Sequence, residues 1–190
     1  MRRLLPLLAA AAVVAAGCTT EATERPPAPS APPAAPAPAR PREIRLDGVD
    51  PCSLLTPQQR AELSLTSEPR STKPYVDLFR GSVPTCSARG RSPQNVLLVV
   101  GAVTTAGIER WAEGDIAATT RQTTVAGFPA IVAVPTRFKD YCNVEVDVAP
   151  GQLLDVQFGG GSAEAPIPQE QLCRAAERSA GQMVTTLLGR

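Results

Sequence analysis

Five cysteines and no histidine set the chemistry open to this 190-residue chain. Cys18 follows Arg2-Arg3, an apolar run from Leu4 to Ala16, and Gly17, which is the plan of an export signal ending at a thiol to be acylated. The run is too short for a spanning helix, which takes roughly 20 apolar residues. Cleavage before Cys18 and acylation of its thiol and new amino terminus, palmitate-type chains included, is therefore the expected fate of residues 1–18. Cys52, Cys86, Cys142 and Cys173 remain, an even number in an exported and disulfide-permissive chain. Of the three pairings open to four cysteines, Cys52 with Cys86 and Cys142 with Cys173 is preferred, because it ties each terminal helix to a strand. No two of them stand as Cys-x-x-Cys and no imidazole is present, so zinc and dithiol redox chemistry are not expected.

The lack of histidine also removes catalytic triads, and leaves Ser53 without a base. Carboxylates remain. Glu145, Asp147 and Asp155 fall on one side of a hairpin and could approximate a calcium or acid-base cluster. The reading adopted is plainer, a solvated hairpin face with no metal and no cofactor. Trp111 and Phe128 are the candidate ligand-binding residues, able to line an apolar pocket. Gly159-Gly160-Gly161-Ser162 has no lysine to serve a phosphate loop and reads as a connector. The net charge is +1, and removal of Arg2 and Arg3 leaves 17 basic against 18 acidic side chains. Near-neutrality speaks against nucleic acid as a partner, and against adhesion to anionic membranes by charge alone.

These residues need a scaffold. Residues 1–17 form the signal, and 18–46 a lipidated cysteine with a Pro/Ala-rich spacer. Prolines 26, 27, 29, 32, 33, 36, 38 and 41 favour extended polyproline geometry there. Residues 47–190 form a single domain, long enough to bury its own core. Thr56-Pro57-Gln58-Gln59 is a capping box with proline at the first helical position, so a helix is expected from Pro57 to Leu63. Strands are expected over 75–80, 83–89, 94–103, 117–125 and 130–135, with Val96–Val100 apolar enough to be covered on both faces. A short helix at 105–114 carries Ile108 and Trp111. Tyr141–Val148 alternates apolar with polar, and Leu154, Val156 and Phe158 alternate on the way back. Parity then demands an odd loop or a bulge around Pro150–Gln152, or Asp155 would be carried into the core with the valines. A final helix from Pro168 to Leu188 presents Leu172, Ala176, Ala180, Met183, Val184 and Leu187 on one stripe. The fold expected is α+β: an antiparallel sheet of five to seven strands, with N- and C-terminal helices packed on it and two disulfides.

Asp50-Pro51-Cys52-Ser53-Leu54-Leu55-Thr56-Pro57, the mid-chain Cys86, the Cys142–Val148 strand with Gly151-Gln152 after it, and Cys173 in a final helix form a recognisable set. In these features the chain resembles actinobacterial secreted lipoproteins that share a cysteine-patterned domain of unknown function, over about residues 47–190. The resemblance implies an envelope location and paired cysteines, and supplies no catalytic residues. The expected role is a binding or protein-interaction module held at the extracytoplasmic face of the cell membrane by its N-terminal lipid. An envelope protein or a small apolar ligand is the expected partner. Carriage of an apolar or lipid ligand in a cavity between sheet and helices, and carboxylate-dependent hydrolysis in the envelope, are the alternatives.

Overall fold

The computed structural model describes residues 38–75, 78–91, 95–160 and 166–190. The signal, Cys18 and the spacer before Pro38 lie outside the described residues. The strands are β1 Arg70–Tyr75, β2 Val83–Arg89, β3 Val96–Val103, β4 Ala118–Val125, β5 Phe128–Pro135, β6 Tyr141–Ala149 and β7 Gln152–Gly160. They form one antiparallel sheet in the order β1-β2-β3-β7-β6-β5-β4. The α+β sheet, the C-terminal helix and both disulfides are as the sequence implies.

Helix α2, Gln169–Leu188, covers one face of the sheet. Its stripe, Leu172 to Leu187, is buried against Val144, Val146, Leu154 and Val156. Cys173 sits beside the stripe and is bonded to Cys142 on β6. The short helix α1, Pro57–Glu62, lies alongside α2, where Gln59 Nε2 donates to the Gln182 carbonyl at 3.3 Å and Gln182 Nε2 to Glu62 Oε2 at 2.8 Å. Leu54, Leu55, Leu63 and Leu65, which flank it, do the anchoring in the core. Its start is the expected capping box: Gln59 N donates to Thr56 Oγ1 at 3.2 Å, and Thr56 N to Gln59 Oε1 at 2.9 Å. With only six residues to propagate, the helix depends on that start. Thr56→Ala should cost about 1 kcal/mol in urea unfolding, and a change too small to measure would show that the flanking leucines alone set this segment.

Connectivity decides what covers the other face. β3 is next to β7, while β4 lies at the far edge beyond β6 and β5. The connection 104–117 must therefore cross three strands, and α2 already occupies one side. It runs over the second face as a 3-10 segment, Ile108–Ala112, held by Thr105 Oγ1 to the Phe79 carbonyl at 2.7 Å and Arg110 Nε to the Leu78 carbonyl at 2.8 Å. Beneath it Phe79, Val83, Val103 and Leu153 make a second, smaller core, with Leu78, Ala106 and Trp111 packed against it.

Several local expectations change. The strand paired with β2 is Arg70–Tyr75 rather than 75–80. Pro84, near the start of its strand, calls for an edge or a bulge, and of the two it is an irregularity that is found, since β2 is second from the edge. The proline's missing N–H falls where β1 shifts register between Thr72 and Tyr75, so the irregularity sits in the partner. Phe128 and Pro129 belong to β5, because Ala126 (φ 50°) and Gly127 (φ 84°) close a two-residue hairpin in front of them. Gly159 and Gly160 finish β7 instead of opening a connector. A Cβ on Gly159 would lie 3.2 Å from the Asp140 carbonyl oxygen.

The parity argument holds. Val146 faces Leu154 and Glu145 faces Asp155, and the register shifts between Asp147 and Ala149, so the extra residue is Val148, just before the expected position. The ordered chain also begins ahead of residue 47. Ile44 and Leu46 are buried, Ile44 N donates to the Val148 carbonyl at 2.8 Å, and Leu46 N to Gln152 Oε1 at 2.7 Å. Arg40 pairs with Asp147 at 2.6 Å. The end of the spacer is thus strapped across the β6–β7 turn.

Candidate functional site

One row crosses the second face of the sheet: Thr85, Gly101, Asp155, Glu145 and Ile131, each opposite the next on neighbouring strands. Two carboxyls therefore stand side by side, flanked by a glycine and an isoleucine. Gly101 gives Asp155 its space, since a Cβ there would lie 3.3 Å from Asp155 Oδ2 and 3.2 Å from Val83 Cγ1. Glu145 and Asp155 are both 0 % exposed, which overturns the solvated hairpin face. Alternation along β6 was read correctly, but both of its faces are covered. Asp147, at the end of the strand, keeps partial access and its pairing with Arg40.

Among the described residues no cation pairs with either carboxyl. Asn143 Nδ2 donates to Asp155 Oδ1 at 3.1 Å. Both Glu145 oxygens, Asp155 Oδ2, Asn143 Oδ1 and the indole Nε1 of Trp111 are buried without a hydrogen-bond partner among the described residues. The cost of burying such groups falls on their ionised forms. Burial, then the neighbouring Asp155 charge, push the Glu145 carboxyl well above the ordinary range. Burial raises Asp155 to about 6, against the opposing effect of hydrogen bonds from Glu145 and Asn143. The indole of Trp111 lies close enough to favour the Glu145 carboxylate, though out of line for a full hydrogen bond.

One proton resolves the pattern for the two carboxyls and the indole. A carboxylic acid at Glu145 donates to Asp155 Oδ2, leaves its other oxygen to accept from the indole, and lets Asn143 hold Asp155 Oδ1. In that state the pair is one acid hydrogen-bonded to one carboxylate. Reaction with a substrate is another matter, because neither carboxyl has any accessible surface. Among the described residues no group of three or more histidine, cysteine, aspartate or glutamate side chains could hold a metal ion.

The next pair along the same face, Asn143 opposite Gln157, forms the polar floor of a cleft of about 350 Å³. Trp111, Leu78 and Ile116 wall it on the side of the crossing segment. Phe138 and Tyr141 wall it on the side of the β5–β6 loop, and Arg137 is the charged side chain in its lining. The Phe138 and Tyr141 rings stack with centroids 6.4 Å apart, and Phe138 is 58 % exposed at the rim. This is an apolar volume with a few convergent polar groups, the usual form of a small-molecule site.

The two residues proposed from sequence to line a pocket thus separate. Trp111 lines the cleft. Phe128 is fully buried in the core under α2, on the opposite face, because it begins β5 with the parity of Ala130 and Val132. Asn143, Gln157 and the buried state of Glu145 and Asp155 were missed. The signal was present in Val96–Val100: a strand apolar on both faces implies a sheet covered on both sides, and β7 lies beside it. Cys52, Cys86, Cys142 and Cys173 are paired as expected, and Cys18 lies outside the described residues.

No curated protein and no solved structure matches the chain. A family of proteins of unknown function, DUF3558, matches residues 13–186, nearly the whole length, and the chain belongs to that family.

Proposed function

We propose that this protein is a lipid-anchored binding module on the extracytoplasmic face of the cell membrane, and that its ligand is a small apolar molecule held in the Trp111 cleft. The observation that carries the ligand reading is the cleft itself, with aromatic walls meeting over the Asn143–Gln157 floor. The signal-like start, Cys18 and the proline-rich spacer support the anchor. No helix among the described residues is long and apolar enough to cross a membrane, so in this reading attachment falls to the acyl chains. A hydrolase reading is less well supported, since the one unusual carboxyl pair is sealed from any substrate.

Two measurements test the proposal. Intact mass of protein from its own envelope should show an acylated Cys18, with the acyl mass lost in Cys18→Ser. An unmodified chain retaining its leader would remove the anchor. For the cleft, N-phenyl-1-naphthylamine, an apolar dye that brightens when shielded from water, should bind in a saturable manner. Ala118→Trp, which fills the cleft from β4, should weaken it by about tenfold, or roughly 1.4 kcal/mol. Unsaturable dye uptake, or equal affinity in Ala118→Trp, would sink the ligand reading.

A further inference from the structure

The wall of the cleft and the buried carboxyl pair share one residue. Trp111 lines the cleft and places its indole nitrogen beside Glu145. We infer that the Glu145–Asp155 pair is a proton-operated lock on Trp111: with one proton shared between the carboxyls the 3-10 segment is held against the sheet and the cleft is formed, and loss of that proton frees the segment and opens the cleft wall. This inference rests on the ligand reading only for its consequence; the lock itself concerns the protein alone.

Donors, acceptors and charge distinguish the two states. With one proton, every oxygen of the pair has a partner: acid to carboxylate, indole to acid, Asn143 amide to carboxylate. With none, two anions stand on adjacent strands in a row whose other members, Thr85, Gly101 and Ile131, carry no charge. Among the described residues no cation pairs with either carboxyl: Arg137, of the β5–β6 loop, lines the neighbouring cleft beyond Asn143 and makes no ion pair with them. Arg110 of the 3-10 segment is committed to Asp115, Glu113 and the Leu78 carbonyl. Arg80, in the 78–82 loop, pairs with Glu113. Arg40, of the N-terminal strap, pairs with Asp147. Glu109, also on the 3-10 segment, has the same sign as the pair, and Tyr141, at the start of β6, is neutral at these pH values, its hydroxyl raised by burial and by Asp140. Relief then comes from water entering beside them.

Water has one easy way in. On the α2 side the sheet is closed by a 20-residue helix, a large core and a disulfide. On the other side lies a five-residue 3-10 segment over four core residues. Local opening follows the weaker cover. The indole leaves with it, because Trp111 belongs to that segment.

The chain has a single tryptophan, so its fluorescence reads this lock alone. In the full-length protein without added ligand, acrylamide quenching of Trp111 should rise several-fold between pH 5 and pH 9, through one midpoint above the ordinary carboxylate range of about 4. In Glu145→Gln, whose amide donates to Asp155 at every pH, quenching should stay at its acid value. Quenching that is flat with pH in the native protein, or a Glu145→Gln curve that follows the native one, would overturn the lock. Should that variant fail to fold, carboxyl-carbon NMR of the native protein decides: a resonance at 145 or 155 still titrating above pH 6 supports it, and both complete below pH 5 overturn it. Affinity for N-phenyl-1-naphthylamine should fall as quenching rises. Unchanged affinity would break the link to the cleft, whereas no dye binding at any pH with Trp111 still responding would sink the ligand reading and leave the lock standing.

Discussion

Replacing Cys142 and Cys173 together by serine is expected to cost about 4 kcal/mol of stability, because the bridge closes a loop of 31 residues and its loss returns that freedom to the unfolded chain. For a domain of this size the loss corresponds to a fall in melting temperature of roughly 10 °C or more. The native state loses as well. Cys142 is fully buried between β6 and α2, and a serine hydroxyl there must find an acceptor in an apolar layer. The bridge Cys52–Cys86 closes a loop of nearly the same size, 34 residues, so chain entropy alone assigns it the same stabilisation. It differs in place, joining the 3-10 turn Pro51–Leu54 to β2 at the rim of the sheet. Urea unfolding of the two double variants, with Cys18 replaced by serine throughout, separates the contributions. Equal losses would mean that the unfolded chain dominates, and a larger loss for the Cys142–Cys173 variant would measure its packing. A loss below 1 kcal/mol for that bridge would show that helix and sheet hold together without it.

The domain is expected to be less stable at pH 8 than at pH 5, the reverse of the usual trend for proteins rich in paired carboxylates. Glu145 and Asp155 both hold their protons more tightly when folded than when unfolded. Such groups stabilise the fold fully below their unfolded values, near 4, and the contribution fades as pH rises through the folded values, about 6 for Asp155 and well above the ordinary range for Glu145. Asp155 alone, at about 1.4 kcal/mol per pKa unit, contributes on the order of 3 kcal/mol across this window. Asp47, held low by Gln152 and Arg45, and Asp115, held low by Arg110, act in the opposite sense. Both are open to solvent and act mainly in acid, where carboxylates lose their charge. Glu145→Gln keeps the donor to Asp155 and removes one titrating acid. It should be close to the native protein at pH 5, more stable than it at pH 8, and flatter between. Native stability that rises from pH 5 to pH 8 would refute the buried pair as described.

The two effects act on different parts of the molecule. The disulfides fasten the layers from the outside, and the pH dependence comes from within the sheet, where no cation answers two acids. The covering segment lies over the acids and also walls the cleft, so under the proposed ligand reading stability and access to the cleft are tied through Trp111.

Much of the scaffold was legible in the chain itself, for local reasons. The capping box at Thr56 satisfies backbone groups within four residues, and the stripe from Leu172 to Leu187 can be buried by only one face of a helix. The alternation of β6 and β7 fixed their register so tightly that a bulge could be required before it was seen, since side chains change face with every residue. The disulfide pairing preferred from the order of the cysteines along the chain is the one formed, each terminal segment bonded to a strand. What tertiary structure alone decided was what covers the other sheet face and which residues lie beneath it. Glu145 and Asp155 carry the pattern of solvent-facing residues, and nothing adjacent to them in sequence marks them as buried. They are sealed because β4 lies at the far edge of the sheet, which sends the connection after β3 across β7, β6 and β5. Order along the chain dictates which residues alternate; order across the sheet dictates what passes over them, and strand order depends on long-range pairing that no short stretch of sequence specifies.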